Sequence, residues 1–394
     1  MAFDPGFDPG APLPGAPDPW QPSTMPARRS GPPYVMTEMI AAEPALAERI
    51  VVRLSDDPAT ERLAAAVREA AAAGRAVLTT GCGTSEHGAM VAAAVLADAL
   101  RDAGLPAGRV ASVQAFELAG RVPTDGLVLA ISHEGGTWAT NLALERARAA
   151  GAATALVTVG AGSPGAALAE HLLLTGEQDQ SWCHTVGYLS PMVAAAVLAG
   201  AVRWRTVSPT TVRALLDAAD HVPAAEEGAA AFARCSRLVV VGSGVDHAAA
   251  RELALKVEEG AHLPAVAHQL ETIRHGHLAA ADASTGLVLF LTDGEGRGAE
   301  VVDRARAVLR SAAALGMPAA AILAADLGDD VPLELTPAGR AAVPIVRDLP
   351  RVVGAALGAA IPLQLLTERL ARARGVNPDT LGREDPRQAA AGDA

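Results

Sequence analysis

A chain of 394 residues that is 50% hydrophobic and 19% charged has the composition of a globular protein long enough for two or three domains. Its formal charge of −12 argues against nucleic acid as a partner, because phosphate backbones are held by clustered Lys and Arg that release counterions. Cys82, Cys183 and Cys235 lack CxxC spacing and argue against a disulfide framework or zinc ribbon, and neither a leader nor a long apolar run stands out, so a cytoplasmic protein outside the membrane is expected.

In chain order, residues 1–33 hold ten of the 27 prolines and repeat Phe-Asp-Pro-Gly at Phe3 and Phe7. Such a segment cannot continue a helix or a sheet ladder, and a disordered, flexible tail is expected. Residues 34–52 read as an amphipathic helix. Next, apolar Val77-Leu78-Thr79-Thr80 runs into Gly81-Cys82-Gly83, residues 126–132 form a second apolar run, and residues 151–157 a third. The same succession returns about 160 residues later: Leu238-Val239-Val240-Val241 before Gly242-Ser243-Gly244, then residues 286–292 and 316–322. Aromatics make up only 3%, so the core must be Ala, Val and Leu, which suits helices packed on a parallel sheet. The expected fold class is α/β: two copies of a doubly wound parallel sheet flanked by helices, over residues 34–210 and 211–394, joined by helix around residues 195–230.

A strand, GxG and helix is also how dinucleotides are cradled, but Glu86 and His247 stand where the third glycine of that fingerprint belongs. No acidic residue ends a second strand at the right distance, and no redox cofactor is expected. The first copy offers hydroxyls instead, at Gly83-Thr84-Ser85 and at Ser132-His133-Glu134-Gly135-Gly136-Thr137. Placed at two helix N-termini of one sheet, they either form a pocket for a small anion or serve as N-caps.

Lys256 is the single lysine beside 31 arginines. A compact ammonium is needed where a rigid guanidinium fork will not serve, and Lys256 and Glu259, at i and i+3, share one helix face. A nearby cation lowers a carboxylate pKa while burial raises it, a compromise suited to a group that moves protons; a surface salt bridge is the alternative. His262, His268, His275 and His277 invite a metal reading, but no carboxylate stands at ligand spacing and no metal is expected. His87, His133 and His184 read as polar contacts or satisfied core groups.

These motifs in this order, together with Arg274-His275-Gly276 and the entry helix at residues 36–44, resemble the sugar isomerase (SIS) domain family from about residue 35 onward, and within it the double-SIS isomerases and deaminases such as the isomerase half of glucosamine-6-phosphate synthase. The resemblance implies two tandem SIS domains, a homodimer, and aldose–ketose isomerisation or aminosugar deamination of a sugar phosphate or related sugar at a site shared between subunits. It implies that Glu259 moves the proton between C1 and C2, that His275 opens the ring, and that Lys256 holds the open-chain sugar. Gly83, Thr84, Ser85, Ser132, His133, Glu134, Thr137, Thr185 and Arg383 are the implied substrate contacts. The sequence departs from the family in several places. No segment suits a glutaminase; Arg383 stands near the family's tail lysine and could hold an anion but not form a Schiff base; Val186 follows Thr185 where relatives carry lysine; and Glu134 and Gly136 replace residues that help hold a phosphate. A non-catalytic sugar-phosphate-binding regulator is the alternative reading.

Overall fold

The computed structural model describes residues 3–22, 29–293 and 298–392. Helix α1 (Val35–Ser55) opens the body, and α2 (Pro58–Ala72) is started by Asp57, whose carboxylate accepts the Ala59 N–H at 2.8 Å, and by Pro58, which has no N–H to leave unpaired there. The chain then alternates through β1 (Val77–Thr80), α3 (Thr84–Asp102), β2 (Val110–Ser112), α4 (Ala115–Gly120), β3 (Leu127–Ile131), α5 (Trp138–Ala150), β4 (Ala153–Thr158) and β5 (His171–Leu174). All five strands are parallel, in the order β2-β1-β3-β4-β5. Strand β3 is buried at every position, as a strand covered on both faces must be, and its sequence is accordingly apolar without alternation.

Three helices follow, α6 (Val186–Val202), α7 (Pro209–Asp217) and α8 (Val222–Phe232), in place of one helical stretch around residues 195–230. Proline stands in the first turn of both later helices, and the Ser208 hydroxyl caps α7 by accepting the Thr211 N–H at 3.2 Å. The second sheet is built from β6 (Arg237–Val241), α9 (Val245–Ala261), β7 (Ala265–His268), β8 (Thr285–Leu291), α10 (Gly298–Ala314), β9 (Ala319–Ala324) and β10 (Arg340–Val343); α11 (Arg351–Gly358) and α12 (Ala360–Arg374) come after it. Its strands are again parallel, in the order β7-β6-β8-β9-β10, so the two halves share one topology. Gly83 and Gly244 stand at equivalent strand-to-helix turns with φ of +56° and +66° and ψ near −130°, a backbone region that side chains exclude.

Each half keeps a buried cluster of its own, around Leu289 and Leu309 in the second and Val128 and Leu144 in the first, but the largest core is shared. One cluster of buried side chains runs from α1 through α3, α6, α9 and α12, and it includes Leu96, Leu198, Leu253 and Leu363. Helix α6 is buried almost all round, which explains why its sequence carries hardly any polar face. Helix α7 packs on α1, and α3 packs on α9, so the start of α3 meets the middle of α9. None of the described helices is long and apolar enough to cross a membrane.

Residues 3–22 are not a loose tail. Proline keeps them out of regular structure, as expected, but Phe7 and Leu13 pack on the main core, and the Leu13 N–H donates to Glu177 Oε2 at 2.8 Å. Backbone donors barred from a ladder have found buried carboxylates instead.

Candidate functional site

The face of α9 that meets α3 carries Glu252, Lys256 and Glu259. Lys256 is 1% exposed, its ammonium in contact with Glu259 and 3.8 Å from Glu252, so it is not a surface salt bridge. Glu252 is fully buried and is satisfied from the first half: His87 Nδ1 lies 2.6 Å from Oε2, and the Thr84 hydroxyl donates to Oε1 at 3.3 Å. Burial opposes the Lys256 charge, but the two carboxylates outweigh it and hold the ammonium above its ordinary pKa. Burial likewise opposes ionisation of Glu252, yet Lys256 and His87 keep that carboxylate below its usual range. Glu259 differs: burial raises its pKa despite Lys256, and its side chain is 24% exposed. The cluster therefore holds one locked carboxylate, one locked ammonium, and one carboxylate that is open to a ligand and easier to protonate.

Cys183 and His184 complete the surroundings. The Cys183 thiol lies 3.9 Å from the Lys256 carbonyl oxygen, and burial pushes its pKa well up, so it stays a thiol. Burial and the Lys256 charge push His184 down to about 4. The Arg383 guanidinium stacks 3.9 Å over the Trp182 ring, which brings the C-terminal segment beside Cys183. Asp379 anchors that segment by accepting the Val35 and Met36 N–H groups at 2.8 and 2.9 Å.

The hydroxyl loop, residues 132–137, lies at the carboxyl end of β3. Thr137 sits at the N-cap of α5 without making a side-chain capping bond, and Gly83 occupies the cap of α3, so the alternative of simple N-capping fails for both segments. Ser132 Oγ lies 3.5 Å from Thr137 Oγ1, Thr137 is exposed and Ser85 is half-buried. Glu134 is drawn aside: Gln178 Nε2 donates to its Oε1 at 3.0 Å, and its carbonyl accepts the Trp20 indole N–H at 2.9 Å.

Two expected substrate contacts face the interior instead. His133 Nε2 accepts the Asp179 N–H at 2.9 Å, and burial pushes its pKa down to about 4, so the ring is neutral. Thr185 is fully buried: its N–H goes to Asp179 at 2.8 Å and its carbonyl accepts from Gln364 at 3.2 Å. Asp179 also accepts the Ser181 and Gly187 N–H groups, each at 2.9 Å, and so ties the 179–187 segment to the hydroxyl loop through His133. Because His133 titrates near 6.5 unfolded and near 4 folded, its contribution to stability is complete above pH 6.5 and is lost as pH falls toward 4. That displacement is worth about 3 kcal/mol. His133→Gln keeps an acceptor but cannot titrate, and urea titrations between pH 4 and 7 should show a flatter loss of stability; an unchanged slope would place the ring in solvent.

His275 is not brought to this cluster within the chain. Its side chain is 71% exposed and pairs with Glu271 at 2.9 Å. Glu252 and Trp182, by contrast, were not foreseen. Glu252 precedes Lys256 by one helical turn, and that spacing was the available signal.

Residues 231–322 match the SIS domain. The chain carries a SIS domain. The SIS domain runs from the end of α8 into β9 and contains Lys256, Glu259 and His275. Over 281 residues the chain is 30% identical to the isomerising glutamine–fructose-6-phosphate aminotransferase of Symbiobacterium thermophilum, an alignment of 66% of this chain and 45% of that protein. The chain thus spans about half the length of this curated relative. Among solved structures, the C-terminal domain of glucosamine-fructose-6-phosphate aminotransferase from Francisella tularensis superposes with a TM-score of 0.74 at 19% identity, covering 89% of this chain and 99% of that one. Tagatose-6-phosphate ketose/aldose isomerase from Escherichia coli gives 0.69 at 21%, covering 91% and 98%. At these identities the two superpositions show a shared fold over most of the chain.

Proposed function

We propose that the protein interconverts the aldose and ketose forms of a sugar phosphate, and that each half is one SIS domain, with the site where α3 of the first meets α9 of the second. The observation that carries this reading is the buried Lys256 ammonium, held between a carboxylate locked by the first half and a carboxylate left open. In the open-chain aldose, the Glu259 carboxylate takes the C2 proton, and the C–H electron pair moves into the C1–C2 bond as the C1 oxygen gains charge. The proton of the C2 hydroxyl passes to the C1 oxygen, and the same carboxyl returns its proton to C1 as the C2 oxygen becomes the carbonyl of the ketose. The Lys256 ammonium stabilises the enediolate oxygen in a site where water is sparse. The hydroxyls of Ser85, Ser132 and Thr137 and the N-terminus of α5 receive the phosphate, from which Glu134 is turned by Gln178.

His275 completes ring opening from a second copy of the chain, in keeping with its exposure away from Lys256. A non-catalytic binding protein is the second reading, favoured by the same exposure. The names of the aminotransferase and of the tagatose-6-phosphate isomerase support a hexose 6-phosphate as substrate. Incubating the protein with fructose, tagatose and glucosamine, each with and without the 6-phosphate, in deuterated water should incorporate deuterium at C1 of a ketose phosphate and at C2 of the corresponding aldose phosphate. Binding of a phosphorylated sugar without incorporation would select the second reading, and incorporation into unphosphorylated sugars alone would overturn the phosphate assignment.

A further inference from the structure

We propose that residues 3–22 form a strap built into the candidate site, in which Trp20 is a positioning residue for the hydroxyl loop 132–137. The proposal rests on the reading that this loop receives the substrate anion.

The strap is held along its length. The Asp4 N–H donates to Glu38 Oε1 at 2.9 Å, and the Gly10 and Ala11 carbonyls accept from Arg49 at 3.0 and 3.2 Å. The Leu13 N–H donates to Glu177, a fully buried carboxylate paired with Arg49 at 2.8 Å, and the Pro14 carbonyl accepts the Gln178 N–H at 2.8 Å. Its far end reaches the loop, where the Trp20 indole N–H bonds the Glu134 carbonyl at 2.9 Å.

The surface beneath is shaped for it. A Cβ on Gly136 would lie 2.6 Å from Trp20 Cζ2, and one on Gly160 would lie 2.8 Å from the Ala16 Cβ. Neither glycine has a positive φ, so the backbone does not demand glycine at either position. What demands it is the seated strap. This accounts for Gly136, the departure at which a larger residue would have displaced the indole. Thr137 remains exposed with the strap in place, so the strap holds the loop from its flank and leaves the hydroxyl open to a ligand.

The two contacts sit on either side of Gly135: one fixes the carbonyl of Glu134, the other the α-carbon of Gly136. With both in place, the loop keeps one conformation before any ligand arrives, and binding does not have to order it.

The test uses the full chain in four forms: Trp20→Ala, Trp20→Phe, Gly136→Ala, and Trp20→Ala with Gly136→Ala. Hydrogen–deuterium exchange of the amides at residues 133–137 reads the latch, and isomerisation of fructose 6-phosphate reads its consequence. Trp20→Ala should speed exchange in the loop and raise KM about three- to tenfold with kcat within twofold, the worth of about one hydrogen bond. Trp20→Phe should recover part of the protection. Gly136→Ala should match Trp20→Ala by expelling the ring, and the double variant should be no worse than Trp20→Ala alone, because both remove one contact. Unchanged exchange in Trp20→Ala, additive losses in the double variant, or a fall in kcat at constant KM would each overturn the proposal. Loss of loop protection in a protein that turns over no sugar phosphate would leave the latch standing and refute only the assigned reaction.

Discussion

Glu259→Gln is expected to lower turnover by about two to four orders of magnitude, the usual worth of a general base, while leaving the unfolding midpoint close to that of the parent. The two halves of this expectation come from different features of the same side chain. Its carboxylate is the member of the α9 cluster that opens toward a ligand, being 24% exposed, so an amide there loses the proton acceptor. The fold should tolerate the change, because the amide oxygen can still accept from the Lys256 ammonium and Glu252 keeps its charge 3.8 Å away. Deuterium incorporation at C2 is the decisive measurement, since it reads proton transfer independently of product release. A Glu259→Gln protein that exchanges the C2 proton as fast as the parent would place the base elsewhere.

Lys256→Met should do the reverse, damaging the fold and the chemistry together. The substitution leaves Glu252 buried with His87 and Thr84 but without its cation, and breaking a buried pair in this way costs about 3–5 kcal/mol. In the parent, the Glu252 pKa is held below its unfolded value, so the carboxylate stabilises the fold above that value and the benefit is lost as pH falls through the lower, folded one. Without the ammonium, the strongest influence holding that pKa down is gone, and burial raises the folded value relative to the parent. The deficit of the variant should therefore shrink on acidification. Urea denaturation at pH 7.5 and pH 5 measures this directly. Adding Glu252→Gln should restore most of the stability and none of the activity, because the lost charge also served the enediolate. A deficit independent of pH, or undiminished by Glu252→Gln, would show that lost packing rather than the stranded carboxylate is responsible.

The local half of this site was legible in the residues. A lone lysine with a glutamate one turn on, hydroxyls after two apolar runs, and a repeated strand-GxG-helix succession are patterns of period and turn chemistry, and these are encoded by neighbours within a few positions. Gly83 and Gly244 illustrate it, since each is required by the φ of its own turn. The α/β class and the two parallel sheets followed from the same local signals.

Side-chain pairing across the fold is a different kind of information. Glu252 is as acidic in the sequence as Glu259, and only the packing of α3 on α9 brings His87, 165 residues away, to lock one carboxylate and leave the other open. His133 reads either as a substrate contact beside two hydroxyls or as a satisfied core group, and only the packing turns its ring inward, where Nε2 accepts the Asp179 N–H. The proline-rich start reads as loose chain because its composition bars regular structure, and it is ordered by Glu38, Glu177 and Gly136, which no local rule connects to it. By itself, the sequence determined which segments would be strand, turn and helix, and which residues carried usable chemistry, because backbone propensity and periodicity act over one or two turns. The tertiary structure alone decided which of those residues are spent on one another and which stay open, because burial and pairing depend on partners that meet only when distant segments pack.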